Sequence, residues 1–235
     1  MSAQESAGPE RLGGAGTRGP DPRTLRTRAA VAEAATTLFL RNGYLGTGVD
    51  DIAALASVSK RSIYNNFGDK QTLFTEVVLH YTATAEQFAE QLVGSLATAE
   101  DVPRALHELG RRHLATVARP EVLRLRRLII LEAARFPDLA AEYFRRAPGR
   151  VMAALTSAFA ELHRRGELIA PDPARAAQHF SYLVLGSTLD TAMFEPGREP
   201  AAPAALERIA DDGVRVFLAA YRPVPDAGKA PAGHG

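Results

Sequence analysis

The sequence lacks cysteine and tryptophan altogether, and only three of its 235 residues are lysine. The absence of cysteine excludes disulfide bonds, zinc sites with cysteine ligands and a thiol nucleophile. No apolar run reaches the roughly 18 residues that a membrane-spanning helix needs. The N-terminus has no charged start followed by an apolar block, so we predict no signal peptide. These absences favour a soluble cytoplasmic protein with no membrane partner.

The formal net charge is +1, which by itself does not indicate a nucleic-acid-binding protein. Acidic and basic residues are nearly balanced even between positions 24 and 80. Two of the three lysines, Lys60 and Lys70, nevertheless flank one short predicted helix. A case for DNA binding therefore depends on where the charges lie and not on their sum.

Glycine, proline, serine and alanine dominate the N-terminal residues 1–23, and the C-terminal residues 223–235 are equally without an apolar pattern. We expect both tails to be disordered. Between them, apolar residues recur at helical spacing, and no segment of useful length alternates with period two. The sequence therefore predicts an all-α fold. Beyond residue 100, helices are predicted near 101–118, 121–135, 138–146, 148–165, 173–194 and 203–221.

The stretch from Thr47 to Leu73 carries most of the functional information. Thr47 followed by Asp50 predicts a capping box that starts one short helix. Ser59 caps a second helix that runs to about Asn66, and Asp69 caps a long helix behind them. The pattern predicts a helix-turn-helix, whose second helix can lie in the major groove of DNA.

The second helix of this motif buries its back through Ile63 and Phe67, which leaves polar side chains on its outer face. Such side chains can bond base edges, while neighbouring polar groups can bond phosphates. The candidates for base contacts are Lys60, Arg61, Ser62, Tyr64 and Asn65, and those for phosphate contacts are Thr47, Tyr64, Asn66 and Lys70. The alternative is three helices of an ordinary bundle, with Lys60 and Arg61 merely solvated.

These residues resemble the TetR family of transcriptional regulators over roughly 50 positions. The matching residues are Leu38, Phe39, Gly43, Tyr44, Thr47, Ile52, Ala53, Ala56, Val58, Ser59, Ile63, Tyr64, Phe67, Asp69, Lys70 and Leu73. The sequence departs at Ser57, where the family has glycine in the turn, and at Asn66, where histidine or tyrosine is common. Ser57 must then adopt a turn conformation that favours glycine.

The resemblance implies two domains, a helix-turn-helix domain at 24–70 and a larger helical domain at 71–222 that dimerises and binds a small molecule. In the family the last two helices form a four-helix interface with a second copy, and both carry apolar stripes here. The stripes alone would equally suit an intramolecular core. Residues 131–139 and 166–173 also resemble the C-terminal domain of an AefR-like branch, which names no ligand.

Candidate ligand contacts in the larger domain are Leu128, Glu132, Phe144, Met152, Phe159, Phe180 and Tyr182. Each could instead be plain core. Glu132 stands out because a carboxylate among apolar neighbours needs a partner or a cationic ligand. Arg124, Arg127 or Arg135 could neutralise it within its own helix.

Enzymatic motifs are absent from the sequence. His107-Glu108 lacks the second histidine of a zinc-protease motif, and no Gly-x-Ser-x-Gly elbow occurs. We therefore predict no catalytic residue, no metal and no cofactor. The predicted function is a homodimeric, ligand-responsive repressor that binds a palindromic double-stranded operator and is released by a small molecule. The alternatives are a helical adaptor that binds only protein and an enzyme.

Overall fold

The computed structural model describes residues 21–198 and 201–223, which contain eleven helices and no strand. The tails predicted as disordered lie outside the described residues, apart from four positions, which are Asp21, Pro22, Arg23 and Pro223. Pro22 and Arg23 already belong to the first helix, so the helical region begins two residues before the predicted boundary, and Pro223 follows the last helix. The all-α prediction is confirmed. No helix in the described part of the chain is long and apolar enough to cross a membrane.

The helices begin where the sequence supplies caps and prolines. Aspartate or serine side chains accept a backbone N–H at the start of five helices. Proline occupies a first-turn position in seven, where its missing N–H costs nothing. The helices are α1 (Pro22–Asn42), α2 (Val49–Leu55), α3 (Lys60–Phe67), α4 (Lys70–His80), α5 (Thr82–Ala97), α6 (Val102–Val117), α7 (Pro120–Glu132), α8 (Pro137–Arg146), α9 (Pro148–Arg164), α10 (Pro173–Phe194) and α11 (Pro203–Tyr221).

Two local predictions were wrong. The cap of α2 is Gly48, whose N–H donates to the Asp51 carboxylate at 3.1 Å, so the capping box does not use Thr47 and Asp50. The long helix after Asp69 is divided at Tyr81 into α4 and α5. The Tyr81 N–H points to the carbonyl of Leu79 instead of one four residues earlier, which interrupts the helical hydrogen-bond ladder.

The first hydrophobic core joins α1–α4 to α7, α8 and the start of α9. Phe39 and Phe74 meet edge to face at 5.0 Å between ring centroids, and Phe136, just before α8, lies 5.5 Å from Phe74. Leu125 of α7 and Tyr143 of α8 are buried in the same core. The three-helix unit and the larger domain therefore share one continuous apolar interior.

The second core lies among α5, α6, α9, α10 and α11 and is centred on Phe159, Phe180 and Phe217, whose rings are 5.2–5.6 Å apart. A Cβ on Gly213 would lie 2.5 Å from the Leu183 carbonyl oxygen, so glycine is needed where α11 crosses α10. Part of each apolar stripe is thus intramolecular core. Leu183, Phe194 and Val216 remain exposed on the outer face of this pair.

Candidate DNA interface and effector cavity

The turn between α2 and α3 fixes the angle at which α3 is presented. Ser57 has φ 54°, the single positive value outside glycine among the described residues. The Ser57 and Val58 N–H groups bond the carbonyls of Ala54 and Ala53 at 3.2 and 3.0 Å. The sequence prediction that Ser57 takes a conformation favoured by glycine is confirmed, at a modest steric cost.

α3 presents a polar outer face and an apolar back. Ile63 and Phe67 are buried, while Lys60, Arg61, Tyr64 and Asn65 are exposed. Tyr64 keeps 43% of its surface accessible, so its ring is available to a partner. Ser62 is half-buried, as is Asn66. The helix therefore offers one cation-rich turn followed by a tyrosine and an amide.

Lys60 does not stand alone on this face. Its Nζ lies 2.9 Å from Oδ2 of Asp50 on α2, and this contact raises the pKa of the Lys60 ammonium. Both side chains are solvent-accessible, so the pair adds little to stability. A DNA oxygen must therefore compete with Asp50 for Lys60. This role of Asp50 was not predicted from the sequence, where the available signal was its place in the first turn of α2.

Asn66 is held from within the domain. Its Nδ2 donates to the Ser62 carbonyl at 2.8 Å, and its own carbonyl accepts a hydrogen bond from the Arg28 guanidinium. Arg28 also bonds Glu76 at 2.5 Å and lies 4.3 Å from the centre of the Phe67 ring. Arg28 thus ties α1 to α3 and α4, a structural role that the sequence did not reveal.

Two further predicted phosphate contacts, Thr47 and Lys70, also have internal partners. Thr47 is only 1% exposed and its hydroxyl donates to the Gly43 carbonyl at 2.8 Å, so its predicted contact with DNA is not supported. The Lys70 Nζ lies 4.3 Å from the centre of the Tyr44 ring. Burial lowers the pKa of Lys70, while Glu132 of α7 raises it. A phosphate contact by Lys70 must therefore draw on an ammonium that is already partly engaged.

A cavity of about 670 Å³ lies in the larger domain between the α4–α5 joint and helices α6–α10. Its volume falls in the range of sites that bind small molecules. The walls are mainly apolar and aromatic, with Phe88, Leu125, Tyr143, Met152 and Leu185 among them. Leu125 and Tyr143 also belong to the first core, so the cavity shares a wall with the interior of the helix-turn-helix unit.

Three of the seven predicted ligand residues line this cavity, namely Phe144, Met152 and Tyr182. The other four do not. Phe159 and Phe180 are fully buried in the second core, and Leu128 is buried in the first. Glu132 is 7% exposed, and its Oε2 lies 3.2 Å from the Arg135 Nε, so its partner is an arginine in the turn that follows α7 and not one within the helix. The periodic stripes could not distinguish cavity walls from core, because both are apolar.

His113 of α6 lines the cavity and was missed by the sequence analysis. It is 5% exposed, stacks on Phe88 at 5.0 Å, and its Nδ1 has no hydrogen-bond partner. Burial lowers the pKa of His113 to about 4, so the ring is neutral at physiological pH. No pattern in the sequence marked it, since a single histidine on an apolar helix face has many structural explanations.

Comparison with known proteins gives two matches to family models. Residues 31–77 match the model described as bacterial regulatory proteins of the tetR family. Residues 104–223 match the model described as the C-terminal domain of AefR-like transcriptional repressors. The second match alone covers half of the chain, and the two together include the α2–α3 motif and most of the residues that line the cavity.

Individual relatives agree with these matches. The chain is 37% identical over 84 residues to the HTH-type transcriptional repressor NicS of Pseudomonas putida, an alignment that covers 36% of this chain and 38% of NicS. A crystal structure described as a TetR-family transcriptional regulator from Mesorhizobium loti is 36% identical, with a TM-score of 0.78 over 86% of this chain and 100% of that one. The flavonoid-responsive regulator FrrA is 28% identical, with a TM-score of 0.61 over 84% and 98%.

Proposed function

Because this chain belongs to the TetR family of DNA-binding transcriptional regulators, with an AefR-like C-terminal domain, we propose that it is a repressor controlled by a small molecule. Members of this family are not enzymes. The proposal assigns DNA reading to residues 24–70, and effector binding and dimerisation to residues 71–222. It places the protein in the cytoplasm, bound to its operator until the effector arrives.

The observation that carries the proposal is the outer face of α3. Lys60, Arg61 and Asn65 are exposed together on a helix whose back is anchored by Ile63 and Phe67. Lysine and arginine can bond the O6 and N7 of guanine, and asparagine can pair with adenine. With Ser62 and Tyr64 beside them, these side chains are our candidates for contact with one major-groove half-site.

Dimerisation is proposed through α10 and α11. Val216 of α11 is 56% exposed, and Phe194 and Leu183 of α10 are 84% and 40% exposed. Apolar side chains this accessible favour a protein partner. A second copy of the chain would cover the exposed apolar side chains of α10 and α11 symmetrically. Two copies would hold their α3 helices about 34–36 Å apart, or a multiple of this, to meet an inverted repeat.

The proposed switch uses the wall that the cavity shares with the first core. An effector that packs against Leu125 and Tyr143 contacts residues on which α1–α4 also pack. Tyr81, at the α4–α5 joint, lines the same cavity. The effector can shift the equilibrium only if it binds the DNA-free arrangement more tightly than the DNA-bound one. FrrA, a relative described as flavonoid-responsive, supports control of this chain by a small molecule.

The test is selection of binding sites from a random duplex library with the purified chain at about 150 mM salt. We expect an inverted repeat to be recovered. Arg61→Ala should abolish its enrichment, whereas Arg150→Ala, which removes an exposed arginine of α9, should not. A single unrepeated motif would contradict the dimer. Absence of any enrichment would contradict sequence-specific binding and favour the protein-binding adaptor.

A further inference from the structure

The charged residues that line the cavity all come from α7 and its N-cap. They are Arg119, Glu121 and Arg126. Two positive charges and one negative charge therefore face an otherwise uncharged cavity, because His113 is neutral. This net charge of +1 alone favours an anionic ligand only weakly. Which ligand charge the cavity prefers therefore depends on the surroundings of each charged group.

The charges of Glu121 and Arg119 are already compensated by their surroundings. Glu121 lies in the first turn of α7, where the positive end of the helix dipole stabilises a carboxylate. Arg119 is exposed to solvent two residues away, so hydration and the neighbouring carboxylate offset its charge. Neither group needs a ligand to compensate it.

Arg126 is not accommodated in this way. No acidic residue lies three or four positions from it on α7, where an intrahelical ion pair would form. Four arginines are half-buried among the described residues, and the other three, Arg28, Arg127 and Arg146, each bond a carboxylate or a carbonyl. Arg126 alone of the four has neither a hydrogen bond nor an ion pair within the described ranges.

The position of Arg126 suits an acidic group. Burial raises the pKa of Tyr143, and the charge of Arg126 acts on it in the opposite direction. Both line the cavity, and Tyr143 is exposed by only 8%. A guanidinium with a hydroxyl beside it can bind two oxygens of one anion, and such charge-assisted hydrogen bonds are strong in a partly dry site.

We propose that the effector is an amphipathic anion of drug-like size, whose acidic group binds Arg126 beside Tyr143 and whose apolar body lies against Phe88, Met152 and Leu185. The inference rests on the proposed function of the cavity as an effector site. The acidic group can be a carboxylate on an aromatic body or on an aliphatic chain, since the apolar walls accept both. The partly buried, unpaired guanidinium excludes a cation as the preferred ligand.

The experiment compares three head groups on two bodies. The probes are biphenyl-4-carboxylate, its carboxamide and biphenyl-4-methylamine, with dodecanoate, dodecanamide and dodecylamine as the aliphatic set. Binding to the purified full chain is measured by calorimetry below the micelle concentration. We expect the anion of at least one set to bind roughly tenfold more tightly than its neutral and cationic counterparts. The set with the larger preference identifies the body.

Variants then assign the preference to Arg126. Arg126→Gln should reduce the ratio between anion and amide to about one while leaving amide binding unchanged, and Arg126→Lys should keep part of it. Glu121→Gln should increase anion affinity by a few-fold, because it removes a repelling charge from the same cavity. Arg124→Gln, a loss of charge on α7 outside the cavity, is the matched control. Far-UV circular dichroism establishes that each variant is folded.

A preference for the amine or the amide on both bodies overturns the inference, as does an anion preference that survives Arg126→Gln. Failure of all six probes to bind overturns it as well. These outcomes are distinct from failure of the proposed function, which is tested by operator selection without any ligand. Recovery of an operator without any preference for the anionic probes would leave the proposed repressor function intact. It would refute only the chemical class proposed for the effector.

Discussion

Replacement of His113 by leucine gives a quantitative test of the buried imidazole. Leucine has a similar volume and needs no hydrogen bond, so it removes the unpartnered Nδ1 with little change in packing. The folded chain holds the pKa of His113 at about 4, against an ordinary value of 6.5. The wild-type chain should therefore respond to acid through this group, and the His113→Leu variant should not.

The direction and size of the expected change in unfolding free energy with pH follow from proton linkage. Between pH 6.5 and 4 the unfolded chain has a protonated His113 and the folded chain a neutral one, so the unfolded state binds more protons and stability falls as the pH falls. The two pKa values differ by about 2.5, which at 1.36 kcal/mol per unit corresponds to about 3 kcal/mol. The free energy of unfolding of the variant relative to wild type should rise by this order between pH 7 and pH 4.

The assay is urea unfolding followed by far-UV circular dichroism, because the chain has no tryptophan to serve as a fluorescent probe. Protein concentration is held constant, since the stability of a dimer depends on it. His80→Gln controls for the loss of a histidine from an exposed site. A difference between His113→Leu and wild type that stays constant within about 0.5 kcal/mol across this pH range would refute the reasoning.

Three further predictions concern DNA binding and assembly. Asp50→Asn should release Lys60 and remove a negative charge near DNA. Operator affinity measured by anisotropy should therefore rise roughly threefold to tenfold. Unchanged or weaker binding would mean that the ion pair orients Lys60 productively. If Lys70 contacts a phosphate, Lys70→Ala should weaken binding to all duplexes alike and lower the slope of log affinity against log salt by about one. A loss of affinity confined to the operator would argue against that role. Val216→Glu should convert the proposed dimer to a monomer in sedimentation velocity, because it places a charge at an exposed apolar position of α11. A dimer that persists would locate the interface elsewhere.

Local signals in the sequence predicted the helices well. Ser59 and Asp69 cap α3 and α4 as expected, and Gly43 ends α1 with φ 74°. Ser57 was predicted from its family position alone to adopt an unusual turn, and it does. These features are decided within four residues along the chain, so they can be inferred from the sequence without knowledge of the fold.

The errors concern features decided by tertiary contacts. Thr47 suited a cap by residue type, but packing buried it and Gly48 took that position. Phe159 and Phe144 have the same chemistry in the sequence, yet one fills a core and the other borders a cavity. Asp50 and Lys60 are ten positions apart and meet only because α2 and α3 pack at an angle. The outer face of α3 was predictable, whereas the shape and the charges of the cavity were not.

The continuous first core has a consequence for protein engineering. A chimera that exchanges residues 31–77 for those of another family member would transplant only part of a packed interior. The new segment would then face Leu125, Phe136 and Tyr143 from the original chain, with mismatched volumes and lost aromatic contacts. Operator specificity is therefore better transferred by grafting the exposed residues of α3 alone. The proposed DNA-reading surface of α3 can be exchanged, whereas its scaffold is not a separable module.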